Sequence, residues 1–208
     1  MDQNFWDKVY LEKAEKEVSW FQEHPVKSLE LIRELNLEKD APILDIGGGD
    51  SRLVDYLLAE GYSDITVLDI SEVSLQKLKV RLGNVGSKVK YLVSDVTTFK
   101  TARSFALLHD RAAFHFLTHV EQVNKYLSVA SESLQSHGSL IISTFSKHGP
   151  EKCSGLPISN YSETELKSLF EKGFDNTKCF EDTHFTPWGT SQSFVYCGFK
   201  KKQDRRFA

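Results

Sequence analysis

The chain has 208 residues, of which 40% are hydrophobic and 26% charged, with a net charge of -3. That length suits one domain able to bury its own core, and the near-balanced charge gives no electrostatic reason for nucleic-acid binding. No apolar stretch reaches bilayer length, and the opening Met1-Asp2-Gln3-Asn4-Phe5 lacks the basic-then-apolar pattern of a leader, so the expectation is a cytoplasmic protein without a membrane partner. Cys153, Cys179 and Cys197 cannot all pair with one another and fit no zinc spacing, which points to a reducing interior and no metal site.

In chain order, Val9, Tyr10, Ala14, Val18 and Phe21 are spaced like one helix face over residues 7–22. After Pro25 a second helix runs over 26–37, with Leu29, Ile32 and Leu35 inward. A strand at 42–46 breaks into Gly47-Gly48-Gly49, and a helix over 52–60 follows, ended by Gly61. Next come a strand at 64–69, a helix from Ser71 to Gly83, strands at 89–93 and 104–108, a helix over 119–134 and a strand at 139–144. This alternation predicts a parallel sheet with helices on both faces. Residues 146–161 read as a loop without helix or strand, because Gly149, Pro150, Gly155 and Pro157 interrupt them. A helix over 162–172 opens on the capping-box spacing Ser162-Glu163-Thr164-Glu165. Two extended runs, 174–183 and 191–199, close the chain as a hairpin. Lys200, Lys201, Lys202, Arg205 and Arg206 read as a solvated basic tail.

The chemistry is concentrated in the run Ile43-Leu44-Asp45-Ile46-Gly47-Gly48-Gly49-Asp50-Ser51. Glycines between a strand and a helix let the backbone approach a ligand closely, and Asp69 lies about twenty residues further on, where a carboxylate can accept from ribose hydroxyls. A nucleoside-containing cofactor follows. The dinucleotide fingerprint would need a third glycine where Arg52 stands, which disfavours a nicotinamide-dependent oxidoreductase. Ligands of open parallel sheets sit outside the carboxyl ends of the strands. That rule selects Asp45 and Gly47 to Gly49, Asp69 and Ile70, Asp95 and Val96, and His109, Asp110 and Arg111.

The spacing Asp45-x-Gly47-x-Gly49-x-Ser51 resembles the first motif of class I S-adenosylmethionine-dependent methyltransferases, with Ser51 in place of the last glycine. The strings Val18-Ser19-Trp20-Phe21-Gln22 and His109-Asp110-Arg111 look like those of bacterial methyltransferases similar to the mitochondrial citrate synthase lysine methyltransferase. Thiopurine methyltransferases share the Asp-Arg pair but flank it with Trp and Gly, where this chain has His109 and Ala112. The resemblance implies a Rossmann-like α/β fold: a mostly parallel seven-stranded sheet, a C-terminal antiparallel hairpin, and helices on both faces. It implies one domain over 1–208, with N-terminal helices (1–40) capping the cofactor site, a core (41–199) and the basic tail (200–208).

By resemblance the cofactor is S-adenosylmethionine. Gly47 and Gly49 border its methionine part, Asp69 binds the ribose, Asp95 approaches the adenine amino group, and Val96 lies against the ring. Asp45, Gly48, Ser51, Ile70 and His109 complete the set, and Trp20 covers it with an aromatic face suited to a sulfonium cation. Methyl transfer then needs mainly alignment of acceptor, methyl and sulfur, an effect worth roughly 7–11 kcal/mol. The acceptor is a small molecule or a protein amine, and a domain that only binds the cofactor is the non-enzymatic alternative. Asp110, Arg111 and His115 form the expected acceptor wall. Asp110 accepts from an amine or pairs with Arg111, Arg111 pairs with it or holds a substrate carboxylate, and His115 and His119 are the nearest groups titrating near neutrality. The loops around His148 and Cys153 and around His184 and Trp188 reach over the acceptor side, provided the first hairpin strand runs parallel to the sheet.

Overall fold

The computed structural model describes residues 2–203. Its helices and strands are, in chain order, α1 (Gln3–Glu12), α2 (Val26–Glu34), β1 (Ile43–Ile46), α3 (Leu53–Ala59), β2 (Ile65–Asp69), α4 (Glu72–Leu82), β3 (Val89–Val93) and β4 (Phe105–Arg111). Then follow α5 (Val120–Ser133), β5 (Leu134–Phe145), β6 (Lys152–Cys153), β7 (Leu156–Pro157), α6 (Glu163–Phe170), β8 (Phe174–Phe185) and β9 (Ser191–Lys201).

The large sheet has seven strands in the order β3-β2-β1-β4-β5-β9-β8. β1 pairs in parallel with β2 and β4, β2 with β3, and β4 with β5. β9 is antiparallel to both β5 and β8, so β8 points the same way as the parallel strands. Its carboxyl end, His184 and Phe185, therefore lies at the ligand edge of the sheet.

Alternation along each strand divides the core into two layers. Leu44, Leu108, Leu140 and Ile142 face α5 and α6 and pack with Phe114, Tyr126 and Phe170. Ile43, Leu107 and Ile141 face the other way, toward Leu29, Ile32, Leu57 and Leu75 of α2, α3 and α4. Strands buried on both faces read as near-continuous apolar runs, which is why Ile43 to Ile46 and Ile65 to Leu68, interrupted by Asp45 and Thr66, carry so strong a signal.

Caps fix several helix ends where the sequence indicated. Ser71 Oγ accepts from the Ser74 amide at 3.1 Å, and the Ser162–Glu165 box closes with bonds of 2.7 and 3.2 Å. The single helix expected over 7–22 does not form. α1 stops at Glu12, and a 3-10 turn over Glu15–Glu17 begins where the Glu17 carboxylate captures the Ala14 amide at 2.7 Å. The stretch 146–161 is not strand-free either: β6 and β7 make a small hairpin through Ser154 and Gly155, both with positive φ.

β4 continues through Arg111, three residues past the expected end, because the apolar run ends before the hydrogen-bonded ladder does. Lys201 and Lys202 are not a free tail: Lys201 Nζ donates to the Ser131 and Leu134 carbonyls, and Lys202 Nζ to that of Glu171. Arg205 and Arg206 lie outside the described residues. Cys179 and Cys197 face each other across the β8–β9 ladder and form a disulfide, against the expectation of reduced thiols, while Cys153 is free and buried. Hairpin register, which cysteine spacing does not encode, places them opposite one another. Among the described residues no helix is long and apolar enough to cross a membrane.

Candidate active site

The turn after β1 leaves no room for side chains. A Cβ on Gly47 would sit 2.4 Å from Ala113 Cβ, one on Gly48 2.4 Å from Asp45 Oδ2, and one on Gly49 2.5 Å from the Tyr10 hydroxyl. Gly47 and Gly49 also hold φ of +63° and +48°, a region that glycine enters without steric cost. Beneath the turn, Asp45 Oδ1 lies 2.7 Å from His109 Nδ1, and His109 Nε2 lies 2.9 Å from Ser28 Oγ of α2. Asp45 Oδ2 is buried without a partner.

Two neighbouring cavities open at this edge of the sheet. The first has one half made by Ile46, Gly47, Leu68, Asp69, Ile70, Ser94 and Val96. Its other half is made by Arg111, Ala112, Ala113, Phe116, Phe145 and Cys153, and Trp6, Tyr10 and Trp20 cover both. The second lies along the glycine turn and includes Ser28, Asp45, Asp50, Ser51, Lys77 and His109. Tyr10, Trp20, Gly47 and Arg111 belong to both.

Asp69 ends β2 in the wall of the first cavity. Its Oδ1 accepts from the Ser71 amide at 2.8 Å, and burial raises its carboxyl to about 6. The cover is tied down beside it: Asp7 of α1 accepts from Ser71 Oγ at 2.7 Å and from the Val73 amide at 3.1 Å. Trp6 and Tyr10, one helical turn apart on α1, then reach inward to Trp20, with ring centroids 6.0 and 6.3 Å from its own. Burial, with the Asp69 charge next, pushes the Tyr10 phenol well above its usual range, so it stays a neutral donor.

Most of the sequence-selected residues meet here: Trp20, Asp45, Gly47, Gly48, Ser51, Asp69, Ile70, Val96, His109 and Arg111 line one or both cavities. Gly49 stands at the turn against Tyr10. Three placements differ from expectation. The Asp95 side chain accepts from the Thr97 amide at 2.8 Å and hydroxyl at 2.7 Å, capping the turn Val96–Thr98 instead of lining a cavity.

Asp110 is fully buried and accepts from the Ala113 and Phe114 amides and, at 2.9 Å, from the Tyr126 hydroxyl. It faces α5, whereas Arg111, the next residue of β4, faces the cavities, so their side chains do not pair. His115 lies outside both linings, stacked on Phe145 at 4.6 Å with neither ring nitrogen bonded, and burial lowers its pKa to about 3.

Arg111 donates from Nε to the Tyr196 hydroxyl at 3.3 Å and from Nη1 to the Trp20 carbonyl at 2.9 Å. His184 Nε2 lies 2.6 Å from the neighbouring Ser19 carbonyl, and burial, then the Arg111 charge, lowers its pKa to about 4. The hairpin and β4 thus fasten the segment that carries Trp20. Trp188, by contrast, is exposed. Sequence reasoning missed Trp6, Tyr10, Phe116 and Phe145. The i, i+4 aromatic pair of α1 was the available signal for the first two.

The arrangement fits an adenosyl-amino-acid cofactor on its own terms. An orphaned buried carboxylate oxygen on Asp45 and a buried Asp69 in the cavity wall are each served by a ligand carrying ribose hydroxyls and an ammonium group. Residues 43–138 match the family described as "Methyltransferase domain". That match covers a little under half of the chain, and the sheet order around it is that of the Rossmann-like methyltransferase fold.

An eEF1A lysine and N-terminal methyltransferase of Bos taurus is 28% identical over 73% of this chain and 23% of its own length. The chain thus spans about a quarter of the first curated relatives it matches. An EEF1A lysine methyltransferase 2 of Homo sapiens is 26% identical over 91% of this chain and 81% of its own. Among solved structures, a Burkholderia thailandensis 1,6-didemethyltoxoflavin-N1-methyltransferase with bound S-adenosylhomocysteine superposes with a TM-score of 0.69. It is 20% identical and covers 97% of this chain and 84% of its own, so the likeness is one of fold.

Proposed function

We propose that this chain transfers a methyl group from S-adenosylmethionine to an amine of a protein or a small molecule. The observation that carries the reading is the two-sided first cavity. One half presents Gly47, Asp69, Ile70, Ser94 and Val96 at the ends of β1 to β3, and the other presents Arg111, Phe116, Phe145 and Cys153 beyond β4 and β5. Bound in the first half, with Asp69 on its ribose, the cofactor supplies an electrophilic methyl on a sulfonium centre.

This chain's residues then have to position the acceptor. Trp6, Trp20, Phe116 and Phe145 make an apolar aromatic enclosure that excludes water and faces a cation favourably. Among the described residues, those lining the acceptor half include no base: Cys153 is pushed up to about 11 by burial and remains a thiol. An amine must therefore arrive neutral or lose its proton to solvent on entry, and catalysis rests on alignment.

A protein lysine is the first acceptor to test. The strings at 18–22 and 109–111 resemble those of methyltransferases similar to the citrate synthase lysine enzyme, and two relatives are named for lysine methylation of eEF1A. Calorimetry with S-adenosylhomocysteine and NAD tests the cofactor half of the reading; binding of NAD alone overturns it. Radiolabelled methyl transfer into a lysate, separated into protein and small-molecule fractions, tests the rest. Label in neither fraction, with cofactor binding confirmed, leaves a binding domain without catalysis.

A further inference from the structure

Arg111 is a cation without a counter-charge. Its Nε and Nη1 donate to neutral oxygens, the Tyr196 hydroxyl and the Trp20 carbonyl, while Nη2 is buried and bonded to nothing. Its guanidinium carbon lies 5.0 Å from the centroid of the Phe194 ring, and among the described residues it makes no ion pair. Asp110, its neighbour in sequence, is bound to Tyr126 on the opposite face of the sheet. A guanidinium cannot neutralise itself by giving up its proton, so this half-buried one, with a buried nitrogen left unbonded, favours an anion in the cavities it lines.

Its place decides which anion. Arg111 ends β4 and lines both cavities, on the β5–β9 side of the sheet and away from Asp69 on β2. The unbonded Nη2 offers two N–H donors, and Arg111 shares the lining of the first cavity with Phe116, Phe145 and Ala112. One free donor edge in an apolar wall suits the single charge of a carboxylate better than a phosphate dianion, which needs several donors.

We propose that Arg111 anchors a carboxylate carried by the methyl acceptor, so that the preferred acceptors are nucleophiles bearing a carboxylate. The inference rests on the methyl-transfer reading above. The rival source of the same chemistry is the amino-acid carboxylate of the cofactor itself.

Calorimetric titrations on the whole chain separate the two. S-adenosylhomocysteine is compared with 5′-methylthioadenosine, which lacks the amino-acid part. Acetate, succinate and glutarate are titrated with and without S-adenosylhomocysteine, with succinamide as the uncharged control. The expected result is saturable carboxylate binding to the loaded wild-type protein, weakened about tenfold or more by Arg111→Met and less by Arg111→Lys, with any loss of S-adenosylhomocysteine affinity shared equally by 5′-methylthioadenosine, as loosening of the Trp20 segment gives.

Several outcomes overturn the proposal. Arg111→Met weakening S-adenosylhomocysteine about tenfold, with 5′-methylthioadenosine unaffected, assigns Arg111 to the cofactor. Failure of all three carboxylates, or equal binding of succinamide, removes the anion site. Carboxylate binding through Arg111 in a protein that binds neither nucleoside overturns the methyl-transfer reading and the acceptor assignment together, leaving a bare carboxylate site. Should Arg111→Met lose its cooperative melting, Arg111→Lys carries the comparison: carboxylate affinity unchanged from wild type is then the expected minimum loss not met, and also overturns it.

Discussion

His109 and Asp45 stand opposite one another in the β1–β4 ladder, and their side chains meet at 2.7 Å beneath the glycine turn. On the other side of the ring, His109 Nε2 lies 2.9 Å from the Ser28 hydroxyl of α2. One imidazole thereby ties α2 to the strand that presents the glycines.

His109→Ala should destabilise the fold by about 3 kcal/mol, since it leaves a buried carboxylate oxygen and a buried hydroxyl without partners. His109→Asn, which reaches only one of them, should lie between. Urea denaturation of the three proteins checks the order. Equal stability of His109→Ala and wild type removes the tie.

Asp69 should make cofactor affinity depend on pH with a defined sign. Its carboxyl is raised to about 6, above the unfolded value, so its contribution to stability is complete at low pH and is lost as pH rises through about 6. Asp69→Asn, which cannot ionise, should therefore melt higher than wild type at pH 8, by an equivalent of about 1–3 kcal/mol. Binding behaves oppositely, because ribose hydroxyls need the ionised acceptor. S-adenosylhomocysteine affinity should fall as pH drops below about 6 in the wild type and stay low and flat in Asp69→Asn. Calorimetry across pH reads both curves; a flat wild-type profile contradicts the assignment.

Within the turn, substitutions should separate crowding from conformation. Gly48→Ala places a Cβ 2.4 Å from Asp45 Oδ2 and 2.8 Å from Val67 Cγ1, so the turn must move, at a cost of about 2 kcal/mol or more and with loss of S-adenosylhomocysteine binding. Gly61→Ala, at φ +90° with nothing within 4 Å of the added carbon, should cost about 1–2 kcal/mol and leave binding intact. Melting and calorimetry on both proteins test the contrast.

Asp110 should act on stability and not on the acceptor. Asp110→Ala removes the acceptor of two amides and of the Tyr126 hydroxyl, a loss of about 2–4 kcal/mol, while turnover per folded molecule holds. Tyr126→Phe should cost about 1 kcal/mol and likewise spare turnover. Measuring melting and methyl transfer together decides it; a fall in turnover without a fall in melting temperature returns Asp110 to the acceptor wall.

The alternation of strands and helices, the glycine turn and Asp69 were legible in the chain because each depends on residues close in sequence. A central parallel strand is mostly apolar, a tight turn needs glycine, and a capping box closes within three residues, so Ile43 to Ser51 and Ser162 to Glu165 speak for themselves. The division of labour between Asp110 and Arg111 was not legible. It depends on β4 running on through Arg111, so that alternation carries Asp110 to the face of Leu108 and Arg111 to that of Leu107.

The same holds for His115, which sits behind Phe145 instead of in the cavity, and for Cys179 and Cys197, brought together by hairpin register. Trp6 and Tyr10 enter the site because Asp7 caps α4 some 64 residues away in sequence. The sequence by itself determined the kind of sheet and the cofactor half of the site, since those follow from local patterning. Only the tertiary structure decided the cover and the acceptor half, because both are made by contacts between segments whose spacing along the chain carries no record of their meeting.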